Sequence, residues 1–224
     1  MKKVDERDIM FARMNYEKGS PQYEDYYSRN PEKKEIDDEL RAMPHMGGIG
    51  TVTYDAVNSP IADACFNFLG DIKKYAEGNV KSEQVKVDAE TMTKRLKGLA
   101  EFYNAKLVGI TEMKDYYYYS HRGRNAETYG DKIDKFHKYG IVFAVEMDKD
   151  MIYRAPQLPE SIAVTKGYID TAVLGMVLSY YIRELGYDAR NHMDGNYLVI
   201  APLVARDAGL GAIGRNGILV TKKY

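Results

Sequence analysis

Residues 167–224 constrain the fold more than any other stretch. An amphipathic run long enough for a major helix, a polar loop holding Asp194, a short helical segment and a glycine-ribbed turn follow one another without a spacer. The turn, GLGAIG at 209–214, matches the spacing of a dinucleotide-binding fingerprint. That fingerprint works only with a strand before it and a helix after it, because the helix N-terminus must meet the pyrophosphate. Here 202–208 reads as a short helix with Pro202 in its first turn, and 217–221 reads as a strand. The order is reversed, and dinucleotide binding is not expected.

With 224 residues the chain can bury a core as one domain or as two small ones. A net charge of -1 gives no global field for nucleic acid or anionic lipid. No uninterrupted apolar run approaches the roughly 18 residues of a membrane span, so no membrane partner is expected. Met1-Lys2-Lys3 passes at once into Val4-Asp5-Glu6-Arg7-Asp8 rather than into an apolar leader, and the expected location is cytoplasmic. Cys65 is the single cysteine and reads as a small buried hydrophobe. It rules out an internal disulfide, an iron–sulfur cluster held by about four thiolates and a cysteine-rich zinc site. His45, His121, His137 and His192 are scattered and lack the spacing that places two imidazoles on one helical face.

Two regions are expected, a mainly helical 1–104 and a core at 105–224. In the first, 7–14 and 31–43 read as helices, whereas 23–30 is aromatic and charged with little periodicity and reads as an arm. Ser59-Pro60 opens another helix, and Asp88 is a good N-cap for one carrying Met92, Leu96 and Leu99 on a stripe. In the second, 106–113 and 141–147 read as strands. The longest helix is expected from Tyr168 to a C-cap at Gly186, with Leu174, Leu178, Tyr181 and Leu185 on one face. Tyr116 to Tyr119 would offer a stacking platform, but consecutive residues of an extended segment point to opposite faces, so at most two share a pocket. The adjoining His121-Arg122-Gly123-Arg124 reads as a solvated loop.

Several separated segments resemble the reductive dehalogenase family, which is related to the epoxyqueuosine reductases. RDIMFARM at 7–14, GSPQYEDYY at 19–27 and PEKKEID at 31–37 resemble the N-terminal region of its leaderless members. AKLVGITEM at 105–113 followed by Tyr119-Ser120 resembles its first core strand and Tyr-Ser. Gly167-Tyr168, then YIRELGYDA at 181–189, then AGLGAIGRNG at 208–217 resemble its most characteristic motifs in order. The resemblance implies an α/β (α+β) fold: a nitroreductase-like sheet flanked by helices, holding a cobalamin base-off with no protein axial ligand. It implies reductive removal of halide from a small organohalide, with Tyr168 and Asp194 as the catalytic residues and Tyr168 as the proton donor. It places Tyr119, Ser120, Gly209, Leu210, Gly211 and Arg215 against the cofactor, and it implies an electron donor of ferredoxin or flavodoxin type or a fused reductase.

The departures are also informative. His192-Met193-Asp194-Gly195 supplies the His-x-x-Gly of a corrinoid axial-ligand motif, but Arg190 stands where an aspartate orients that histidine, so His192 reads as a solvent-facing loop residue. Asp194 stands where dehalogenases commonly carry asparagine and queuosine-type reductases an aspartate, which leaves the substrate open. The sequence stops at Tyr224, ahead of where the family carries a substrate-pocket arginine and a region for two [4Fe–4S] clusters, so a fragment or a short homologue is expected. The alternatives are a non-catalytic corrinoid-binding or trafficking module and a flavin reductase on the same core.

Overall fold

The computed structural model describes residues 2–134 and 137–223, which divide into two compact units interleaved in sequence. Met1–Tyr54 with Lys114–Lys135 forms the first, and Asp55–Met113 with Phe136–Tyr224 the second. Helices predominate over two small antiparallel sheets, so the architecture is mixed α/β as expected.

The first unit holds α1 (Met10–Arg13), α2 (Pro21–Arg29) and α3 (Lys34–Ala42). Ser20 starts α2 by accepting a hydrogen bond from the Tyr23 amide, with Pro21 in the first turn. Tyr23, Tyr26 and Tyr27 then fall at i, i+3 and i+4 on one face and are buried with Ala12 and Tyr16. Their rings meet edge-on, at 4.6 Å for Tyr23 and Tyr27. Residues 23–29 are therefore part of a packed helix and not an arm. The period is hidden because the core-facing residues are tyrosines, which count as polar as readily as apolar.

Burying phenols recruits charge from α3. Tyr23 donates to Asp38 at 2.7 Å and Tyr27 to Asp37 at 3.0 Å, while Arg41 donates to the Tyr27 hydroxyl at 2.8 Å and Arg13 pairs with Asp37 at 2.9 Å. Asp37 is buried as a result, and the apolar Ile36, Leu40 and Met43 are left exposed. The tyrosine run is corrected too: Asp115–Tyr117 is a short 3-10 turn, and Tyr117, Tyr118 and Tyr119 are all buried instead of alternating. The 121–124 patch is no solvated loop, since the buried Glu6 carboxylate accepts from the Gly123 amide at 2.7 Å and lies 3.4 Å from Arg124.

The second unit contains α4 (Ser59–Ile72), α5 (Ala89–Phe102), β1 (Leu107–Glu112), β2 (Tyr139–Ala144), α6 (Lys149–Ile152), α7 (Leu158–Glu184), α8 (Ala201–Asp207), β3 (Ala212–Ile213) and β4 (Leu219–Val220). β1 pairs antiparallel with β2, Leu107 opposite Ala144 and Glu112 opposite Tyr139, and β3 pairs with β4 as a hairpin. Asp88 caps α5 as expected, accepting from the Thr91 amide at 2.9 Å. Leu96, Ala100, Leu174 and Leu178 close over the β1–β2 sheet with Val108, Ile110, Ile141 and Phe143.

α7 differs from expectation in its start. It begins at Leu158, with proline in its first turn, and runs on through Gly167, whose missing side chain leaves room for Met147. Its length and composition also meet the criteria for a membrane span, although no long uninterrupted apolar run is visible in the sequence. Its buried residues, from Ser161 to Arg183, face α4, α5 and α6, against which it packs, while Lys166, Val173, Tyr180 and Glu184 form one exposed stripe. A helix buried over so wide an arc has an apolar face broad enough to pack against several neighbours at once.

Candidate functional site

Of the residues expected at the site, Tyr119 and Ser120 belong to the first unit and Tyr168, Asp194, Gly209, Leu210, Gly211 and Arg215 to the second. In the first unit, burial raises the pKa of the Tyr119 phenol, and the Ser120 hydroxyl lies 3.0 Å from His121 Nδ1.

In the second unit, Tyr168 sits in the middle of α7 rather than at its start. It is half-buried, its ring centre 6.0 Å from that of Phe66 on α4. It packs on the buried cluster of Leu69, Ala172 and Met193, together with Ile72, Ile169 and Met176. Met193 is the residue before Asp194, so the apolar cluster that seats the tyrosine also anchors the turn that carries the carboxylate.

That turn is strapped in place from several sides. The Asn191 side chain donates to the Ala172 carbonyl of α7 at 3.2 Å and fits against Gly175, where a Cβ would collide with it. The Asn191 amide donates to Ala76 at 2.9 Å. Arg183, buried in α7, donates to the carbonyls of Ala76 and Ala189 at 3.2 Å each and stacks on Tyr180. Arg190 pairs with Glu77 and donates to the Asn196 carbonyl at 3.0 Å, while the Asn196 side chain accepts from the Met193 amide at 2.9 Å. Arg190 Nε is left buried without a hydrogen-bond partner, but the bonds made by the other groups favour one geometry, because an alternative would leave further donors or acceptors unpaired.

His192 belongs to the same framework and is not solvent-facing. Its Nδ1 accepts the Leu198 amide at 3.3 Å. Burial, then the charges of Arg190 and His137, push its pKa down to about 3. The imidazole is neutral at physiological pH, and with Nδ1 as acceptor the hydrogen-bond pattern assigns the proton to Nε2. Nδ1 is thus engaged by the backbone. Among the described residues no group of three or more His, Cys, Asp or Glu side chains is placed to hold a metal ion.

The glycine turn follows α8 and precedes β3, the order that argues against a dinucleotide site. Gly209 terminates α8 with φ +84°, and the Gly209 and Leu210 amides donate back to Arg206 and Ala205, each at 3.0 Å. A Cβ on Gly209 would meet nothing within 4 Å, so its backbone borders open space. Gly211 differs, since a Cβ there would strike the Val220 carbonyl of β4. Leu210 turns its buried side chain toward Gly109 of β1, and Arg215 is exposed at the tip of the β3–β4 hairpin.

No protein-family model matches the chain. Tetrachloroethene reductive dehalogenases from Desulfitobacterium hafniense and Dehalobacter restrictus are 38% and 37% identical to it over 84 residues, 38% of this chain and 15% of theirs. A structure of the catabolic reductive dehalogenase NpRdhA in complex with 3-bromo-4-hydroxybenzoic acid matches 99% of this chain and 29% of its own, with a TM-score of 0.72 at 17% identity. A reductive dehalogenase structure that suggests a mechanism for B12-dependent dehalogenation matches with a TM-score of 0.71, again at 17% identity and with 29% of that chain covered. The chain is related to the reductive dehalogenases and shares the fold of part of them, and it spans about 15% of the length of the curated relatives it matches.

Proposed function

We propose that the second unit is a nitroreductase-like corrinoid-binding core and that it serves reductive removal of halide from a small organohalide. The placement of Tyr168 carries this reading: a half-buried phenol on a rigid helix, seated on the same apolar cluster that anchors the Asp194 turn. The residues present fit a corrinoid. The corrinoid would bring its own cobalt ligands, so no protein metal cluster is required. The open backbone face at Gly209 gives a flat ring system room to approach, and the engagement of His192 Nδ1 by the Leu198 amide favours base-off binding without a protein axial ligand.

A bound corrinoid supplies a strongly reducing cobalt centre for the carbon–halogen bond. The net change takes up two electrons and one proton, releasing halide and leaving a new C–H bond. The electrons come from an external donor, of ferredoxin or flavodoxin type or a fused reductase. The chain's own part is to seat the substrate and deliver the proton. A phenol with an ordinary pKa near 10 holds its proton at neutral pH and can release it to a developing negative charge. The buried residues under Tyr168 fix its ring, so the hydroxyl is aimed by packing.

The test is Tyr168→Phe in the cobalamin-loaded, chemically reduced chain, with bromide release from 3-bromo-4-hydroxybenzoate followed through a single turnover. The variant is expected to retain corrinoid and to lose about 10²–10⁴ in rate. An unchanged rate would transfer proton delivery to Asp194 or to water and overturn the assignment of Tyr168.

A further inference from the structure

We propose that Lys73 is a ligand-binding residue, and that its ammonium with the Asp194–Gly195 turn forms a position for an oxyanion: a carboxylate or phenolate of the substrate, or the phosphate of the corrinoid nucleotide. Lys73 directly follows α4 and is half-buried, next to Ile72 of the cluster that seats Tyr168. Its Nζ lies so close over Gly195 that a Cβ there would collide with it, and Gly195 has φ +72°, so glycine is required on both counts. Among the described residues the Lys73 ammonium makes no hydrogen bond or ion pair.

The neighbouring cations behave otherwise. Arg183 donates to the carbonyls of Ala76, Ala189 and Tyr75, and Arg190 is engaged with Glu77 and the Asn196 carbonyl. Among the described residues no ion pair joins Lys73 to the Asp194 carboxylate. An ammonium partly removed from water and held against a rigid backbone gains most from an incoming acceptor, because a charge-assisted hydrogen bond recovers what its partial desolvation cost. The cluster that holds Ile72 is apolar and offers no competing charge.

This inference rests on the corrinoid reading only for the identity of the ligand. In the cofactor-free chain, inorganic phosphate and 3-bromo-4-hydroxybenzoate are titrated while the Gly195 and Asn196 amide resonances are followed. At least one probe is expected to shift them. Lys73→Met, which keeps the stem packing, should weaken that probe about tenfold or more, and Lys73→Arg should restore most of the loss. Cobalamin and cobinamide, which lacks the nucleotide phosphate, separate the sources. A Lys73→Met defect confined to cobalamin identifies the nucleotide phosphate, and one confined to 3-bromo-4-hydroxybenzoate against its neutral methyl ester methyl ether identifies the substrate anion. No shift at Gly195 with either probe, or equal affinities in wild type and Lys73→Met, overturns the proposal. Cobinamide that fails to bind the wild-type chain overturns the corrinoid reading instead, whatever Lys73 does.

Discussion

In the first unit the buried faces are phenols, a carboxylate and guanidinium groups, Tyr23, Tyr26, Tyr27, Asp37, Arg13 and Arg41; in the second they are leucines, isoleucines and alanines around α7. The first depends on each hydroxyl and charge finding its partner, and the second on volume being filled. The difference teaches that a core can be assembled from residues that composition counts as polar, and that the two units should fail under different perturbations.

The largest effect is expected in the aliphatic unit. Leu174 is 1% exposed under the β1–β2 sheet, and Leu174→Ala should cost about 2–5 kcal/mol of stability, since the lost transfer energy is joined by a cavity. Denaturant unfolding with amide hydrogen exchange resolved by unit would check it. Loss confined to the first unit would break the comparison. Tyr27→Phe changes almost no volume but removes a donor to the buried Asp37 and an acceptor for Arg41. It should cost about 1–3 kcal/mol, in the first unit alone. A neutral result there would mean that the rings hold that core and the hydroxyls do not.

A third contrast is in pH. His192 is held with a pKa of about 3, below its ordinary value of 6.5, chiefly by burial. Below pH 6.5 the unfolded chain takes up a proton that the folded chain refuses, so stability is full above that pH and falls as the pH drops towards 3. His192→Gln should flatten this part of the stability profile, as followed by thermal melts between pH 4 and 7. An unchanged slope would place the imidazole in a wetter setting than its bond to Leu198 implies. The smallest effect is expected for Asp88→Ala, which removes the cap of α5 and should cost about 1 kcal/mol, measurable as a shift in the denaturation midpoint.

The second unit was largely legible in the sequence because its elements announce themselves: the Asp88 cap, the alternation of strand and helix, and the glycine that ends α8. The start of α7 was missed because Gly167 looks like a boundary, although inside a helix it is a place for Met147 to pack. The tyrosine core was missed because rings that pack through their faces and bond through their hydroxyls satisfy neither the apolar nor the polar template. Of the candidate site, Tyr168 and Asp194 came into view through family resemblance, and Met193, the residue before Asp194, packs in the same cluster as Tyr168. Arg183, Asn191 and Lys73 have no local signature at all. Each matters through a partner distant in sequence, Arg183 with Ala76, Asn191 with Gly175 and Lys73 with Gly195.

Titration of the purified chain with cob(II)alamin, read by electron paramagnetic resonance, tests the central proposal most directly. The expected result is saturation at about one equivalent, with a base-off spectrum lacking nitrogen superhyperfine coupling, since His192 keeps its bond to the Leu198 amide. Nitrogen coupling from an axial imidazole would contradict the base-off assignment, and a chain that retains no cobalamin would contradict the proposal itself.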